Sequence, residues 1–138
     1  GAIDFENEQT LNVFEHEVTI VKNHNFEDGQ ATSLRAAIAV AEHDKHEAVV
    51  VGLGDMPLIS SSAWAAVAEA DTVLGVATFS GNRRPPVKIH HELWPLIPLS
   101  GDEGARSLLR LRPDLVHDVP CEGNPIDIDT RGDLARWN

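Results

Sequence analysis

Few residues in this chain have the type and setting for chemistry, and the most telling is Asp55. It follows an unbroken apolar run, Ala48-Val49-Val50-Val51, and sits in a turn with Gly52, Gly54 and Pro57. Such a run reads as a buried strand, and a carboxylate at the carboxyl end of a strand is how α/β proteins place a metal ligand. The neighbouring glycines leave room for a ligand to approach the backbone. Magnesium suits the position, because it takes one or two carboxylates and completes its shell with water and phosphate oxygens. The other reading of Asp55 is a solvated turn residue.

Asp127 and Asp129, in NPIDIDT, are the next candidates. Alternation along a short strand puts both acids on one face and Ile126 and Ile128 on the other. The pair offers a second metal ligand, or the solvated face of an edge strand. A phosphatase using Asp127 as nucleophile and Asp129 as acid is disfavoured. That chemistry needs its acidic motif after the first strand, and here it comes at the end. Arg83, Arg84 and Lys88 stand out in an acidic chain, and Arg83-Arg84 falls in a proline-flanked loop suited to catching a phosphate or to facing solvent. His90 and His91 are adjacent on a strand, so they point to opposite faces and do not chelate together. Trp64, Trp94 and Trp137 read as packing residues. Cys121 has no histidine in a catalytic pattern nearby, and no GxSxG, CxxC or P-loop motif is present.

The elements that must position these residues follow from periodicity. Residues 1–16 carry a weak helical stripe of Leu11, Phe14 and Phe5. Residues 17–22 read as a β-branched strand and 23–30 as a polar loop. Residues 32–43 read as a helix capped by Thr32 or Ser33, with Leu34, Ile38 and Ala41 on one face. The strand at 48–53 precedes a helix over 61–70 capped by Ser60. A strand at 72–79, a turn-rich loop at 80–86 and a short strand at 87–89 follow. A helix over 101–112, with Ser100 as cap, has acids first and arginines last, as the helix dipole favours. Leu115–Val119 is a strand, residues 121–125 a loop, and Thr130 to Asp133 a capping box for a terminal helix. Alternating strands and helices predict an α/β domain with a mostly parallel sheet and helices on both faces.

With 138 residues the chain is one domain by length, and its net charge is −11. No basic stripe exists to hold a phosphate backbone, so neither nucleic acid nor an anionic membrane is expected as partner. A nucleotide held through a metal ion remains compatible with that charge. One cysteine forbids an intrachain disulfide, which fits a reducing, cytoplasmic setting. No apolar run approaches the roughly 20 residues of a membrane span.

Four segments in order, DGQATSLRAAI (28–38), VVVGLGDMPLISSSAW (49–64), PPVKIHHELWPLIPLSGDEGARSLL (85–109) and NPIDIDTRGDLA (124–135), resemble the nucleotidyltransferases of molybdenum-cofactor maturation, most closely the cytidylyl-transferring branch. The resemblance runs from about residue 17 to the end. It implies a Rossmann-like fold of the nucleotide-diphospho-sugar transferase type. It also implies transfer of a nucleoside monophosphate from CTP or GTP to a phosphorylated small acceptor such as molybdopterin, with Mg²⁺ as cofactor and pyrophosphate released. By the same resemblance Asp55 and Asp127 hold the Mg²⁺, with Asp129 close by. Gly29, Thr32, Ser33 and Leu34 contact the base, and Arg84 or Arg106 meets the acceptor phosphate. A molybdoenzyme or a second copy of the chain is an implied partner. The family's glycine-rich phosphate loop, with its serine, arginine and lysine, is absent from this sequence, so the domain reads as its C-terminal portion, incomplete at the N-terminus. Two expectations follow: little or no turnover by these 138 residues alone, or a non-catalytic binding or assembly module that keeps the fold.

Overall fold

A computed structural model of the chain describes residues 9–13, 16–20, 23–24, 26–52, 59–101 and 103–123. Strand β1 (Gln9–Val13) pairs antiparallel with β2 (His16–Ile20) as a separate two-stranded sheet. The helical stripe expected over residues 1–16 is therefore overturned at its centre. A stripe of two or three apolar residues is too short to sustain a helix, whereas pairing with a β-branched neighbour gives the facing backbone groups of both segments partners.

The main sheet holds β3 (Ala48–Val51), β4 (Leu74–Phe79), β5 (Asn82–His90) and β6 (Val116–Pro120) in the order β3-β5-β4-β6. β5 is antiparallel to both β3 and β4, and β4 is parallel to β6. Three strands thus share a direction and β5 alone runs against them. The loop expected at 80–86 is not a loop. Ser80 and Gly81 both have positive φ, 53° and 83°, and Phe79 pairs with Asn82. That is the two-residue turn whose twist matches the flanking strands. The register slips so that Val76 faces Val87 while Ala77 faces Arg84. Pro85 and Pro86 fall in the slip, where a proline takes no ladder donor away.

Helix α1 (Gln30–His43) and helix α3 (Ala105–Leu111) cover one face. Leu34, Ile38 and Ala41 of α1 and Leu108 and Leu109 of α3 meet Leu74, Val76, Val87 and Ile89 there. Trp94 closes this core from the 3-10 helix His91–Leu96, its indole N–H donating to the Ile89 carbonyl at 3.0 Å. Helix α2 (Ser61–Glu69) covers the other face, where Ala63 and Val67 meet Ala77, Phe79 and Val119. α3 is shorter than the helix expected over 101–112. Gly101 and Gly104 have φ of 113° and 50°, outside helical space, and Ser100 does not cap it. Among the described residues no helix is long and apolar enough to cross a membrane.

Candidate functional site

The carboxyl end of β3 is where the faces of the sheet meet a cleft. Gly52, just past the end of β3, lies against the Trp64 indole of α2, which a Cβ at this position would meet. Residues 53–58, and with them Asp55, lie outside the described residues, as do Asp127 and Asp129. The chain returns at buried Ile59, and Ser60 caps α2 as expected, accepting a hydrogen bond from the Ala63 N–H at 3.2 Å.

A cleft of about 570 Å³ opens between α1 and β3. Val49, Val50 and Val51 all line it, so it wraps the outer edge of β3, which has no strand beyond it among the described residues. Successive strand residues point to opposite faces, so only an edge can show all three. Leu34, Ile38 and Val87 deepen the apolar wall, Gln30 and Ser33 supply polar groups at the mouth, and Gly104 and Ala105 close the far side.

The beginnings of α1 and α3 are joined through backbone. The Gly101 N–H donates to the Asp28 carbonyl, and the Ala31 N–H donates to the Gly101 carbonyl, both at 2.8 Å. Gly29, at φ 110°, lies so close that a Cβ would collide with the Gly101 carbonyl. The cap of α1 is thus Gly29, with no side-chain cap bond, rather than the expected Thr32 or Ser33. Thr32 instead donates to the Gly29 carbonyl at 2.7 Å. The Asn23 amide donates to Thr32 Oγ1 and Ser33 Oγ, each at 2.9 Å.

Of the residues read from sequence, Gly29, Thr32, Ser33 and Leu34 come together at the cleft, and Ser33 and Leu34 line it. Arg106 stands in the first turn of α3, next to the lining residue Ala105. Arg84 is not a loop residue. It is a β5 residue only 4% exposed, and it pairs with Ala77, whose side chain packs beneath α2. Cross-strand partners share a face, so Arg84 lies on the α2 side, while its neighbour Pro85 reaches the cleft. Arg83 is held by Asp118, Nε to Oδ1 at 2.7 Å. Lys88 Nζ donates to the Ala68 and Ala70 carbonyls at 3.0 and 2.7 Å, capping the end of α2. His90 and His91 do not point to opposite faces, because His91 leaves the strand for the 3-10 helix, and their rings lie 4.3 Å apart. The Cys121 thiol is pushed above its usual range by burial, against a smaller opposing effect of a backbone hydrogen bond at Thr78, and it donates to the Val119 carbonyl at 3.3 Å. A thiol so held is a poor nucleophile.

Sequence reasoning passed over Asn23, Gln30, Gly101 and Gly104. Two glycines within SGDEG were a warning against a helix start at 101. Nothing in the pattern around Asn23 marked it. Among the described residues no group of three or more His, Cys, Asp or Glu could hold a metal ion. Comparison with curated proteins returned no match. The family model described as the MobA-like NTP transferase domain matches residues 4–119.

Proposed function

The chain belongs to the family of MobA-like NTP transferase domains, and from that premise we propose that it supplies the base-binding and magnesium-carrying part of a nucleotidyl transfer. The observation that carries the proposal is the cleft wrapped around the carboxyl half of β3, with an apolar wall and a polar mouth at the start of α1. That is where open α/β sheets bind their ligands. The substrate is CTP or GTP, and the acceptor a phosphorylated small molecule such as molybdopterin. An acceptor phosphate oxygen attacks the α-phosphorus in line. A new oxygen–phosphorus bond forms as the bond to the bridging oxygen breaks, and pyrophosphate leaves with that electron pair. Arg106, in the first turn of α3 beside the cleft, balances the charge of the acceptor phosphate; Arg84, buried on the α2 side, does not take that role.

Asp55 and Asp127, with Asp129 nearby, are the residues proposed to hold Mg²⁺. An all-carboxylate set is the donor chemistry this hard cation selects. When bound, the ion screens the charge that develops at the reacting phosphate. Nucleotidyl transfer is chiefly positioning and charge neutralisation, and no glycine-rich loop in this sequence holds a triphosphate. The expectation is accordingly split. In a pyrophosphate-release assay with Mg²⁺, CTP or GTP and a molybdopterin-type acceptor, the chain turns over little. In calorimetry it binds CTP or GTP, and Mg²⁺ strengthens the binding. Asp55→Ala removes that strengthening and leaves the fold intact. An unchanged Mg²⁺ response in Asp55→Ala refutes the metal assignment.

A further inference from the structure

The hydrogen bonds at the mouth of the cleft have a direction, and Asn23 sets it. The Thr32 hydroxyl gives its hydrogen to the Gly29 carbonyl at 2.7 Å. Toward Asn23, 2.9 Å away, Thr32 Oγ1 can then only accept, so the nitrogen of the amide faces it rather than the oxygen. The second hydrogen of the same nitrogen goes to Ser33 Oγ, also at 2.9 Å. A serine hydroxyl has one hydrogen and two lone pairs. Asn23 occupies a lone pair and is the only hydrogen-bond partner of Ser33 among the described residues. No other described residue takes the Ser33 hydrogen, which stands at a position that lines the cleft.

We propose that Asn23 is a positioning residue: it holds Ser33 as a hydrogen-bond donor to a ring nitrogen or carbonyl oxygen of a nucleobase seated in the α1–β3 cleft. The inference rests on the nucleotide reading given above and adds to it the polarity of the contact. Val49, Val51 and Leu34 receive the apolar face of the ring, and Ser33 meets an acceptor on its edge. Val49 and Val51 are only half-buried in the chain itself, so a ring laid against them removes apolar surface from water.

Substitutions at Asn23 separate this role from simple support of α1. Asn23→Asp keeps the shape but exchanges a donor for an acceptor. The carboxylate draws the Ser33 hydrogen inward and turns its lone pairs to the cleft. If Asn23 only supported the helix, a carboxylate beside the first turn would be as good or better, because it complements the helix dipole. The experiment is calorimetric titration of the whole chain with CTP and with GTP in the presence of Mg²⁺, alongside thermal melting. Ser33→Ala is expected to weaken binding about three- to tenfold, the range of a neutral hydrogen bond. Asn23→Asp is expected to weaken it about tenfold or more with Tm unchanged or raised, and Asn23→Ala by less than Asn23→Asp. In the Ser33→Ala background Asn23→Asp costs nothing further, because it acts through the serine. Losses that multiply in the double variant overturn the proposal, since the new carboxylate would then be repelling the phosphates directly. Unchanged affinity in Ser33→Ala overturns it and leaves the nucleotide reading standing. A wild-type chain that binds neither nucleotide overturns both.

Discussion

The two faces of the main sheet are closed in different ways. On the α2 face the helix is fastened at both ends by side chains, Ser60 at its start and Lys88 on the carbonyls of Ala68 and Ala70 at its end. On the opposite face α1 and α3 both start at glycines with no side-chain cap bond, and they are tied to each other through Gly29, Gly101 and the neighbouring backbone. A side-chain cap fills the space at a helix start. A glycine cap leaves it open and lets backbone pack on backbone. The cleft lies on the side of the glycine caps. The difference teaches that the α2 face is built for stability and the α1–α3 face for access, and substitutions on the two faces should separate accordingly.

The largest effect is expected from the shared core beneath α1 and α3. Leu108 has 0% exposure, and Leu108→Ala should cost about 3–4 kcal/mol in chemical denaturation. Gly29→Ala comes next. It forces an alanine to a positive φ and against the Gly101 carbonyl, so about 3 kcal/mol is expected from strain and displacement together. Because Gly29 also sets the cleft, CTP or GTP affinity should fall with it. A Gly29→Ala chain that binds normally would break the comparison. On the α2 face Ser60→Ala should cost about 1 kcal/mol, the usual worth of an N-cap, and leave nucleotide affinity unchanged. A loss of affinity there would show that the faces are coupled. The smallest effect belongs to neither face. The Asp114 carboxyl is held below the usual aspartate range by the hydrogen bond and then the charge of Arg112, at 2.9 Å on a fully exposed surface. A carboxyl lowered in this way favours the folded chain above its unfolded pKa, and the benefit fades as pH falls through the lowered value. Full solvent screening makes that benefit small. NMR titration should find the depressed midpoint, and Arg112→Ala should return it to the ordinary range.

What was legible in the sequence was what local chemistry decides. The apolar run 48–51, the cap at Ser60 and the Leu34, Ile38 and Ala41 face of α1 depend on neighbours a few residues away, and each is found where its pattern placed it. Of β5 only the part at 87–89 was read as strand, because Pro85 and Pro86 argue against a strand until the register slip that accommodates them is known. Arg83 was read as a phosphate catcher or a solvated loop residue, and Lys88 was left without a role, because their partners, Asp118 and the end of α2, lie 35 and about 20 residues away. The start of α3 was misplaced for the same reason: Gly101 is occupied by Asp28 and Ala31, far behind it in sequence. Within the candidate site, Gly29, Ser33 and Leu34 could be named from motif order, whereas Asn23 and Gln30 are visible only once the chain is folded.

The claim on which the rest depends is that the nucleotide sits in the α1–β3 cleft. Ala37 lines that cleft from an exposed position on α1, so a large side chain there can fill the cleft without entering the core. The most direct test is the affinity of Ala37→Trp for CTP and GTP in the presence of Mg²⁺. We predict a fall of about tenfold or more, the cost of losing about 1.4 kcal/mol of contact, with Tm close to that of the wild type. Unchanged affinity in a folded Ala37→Trp chain would contradict the account.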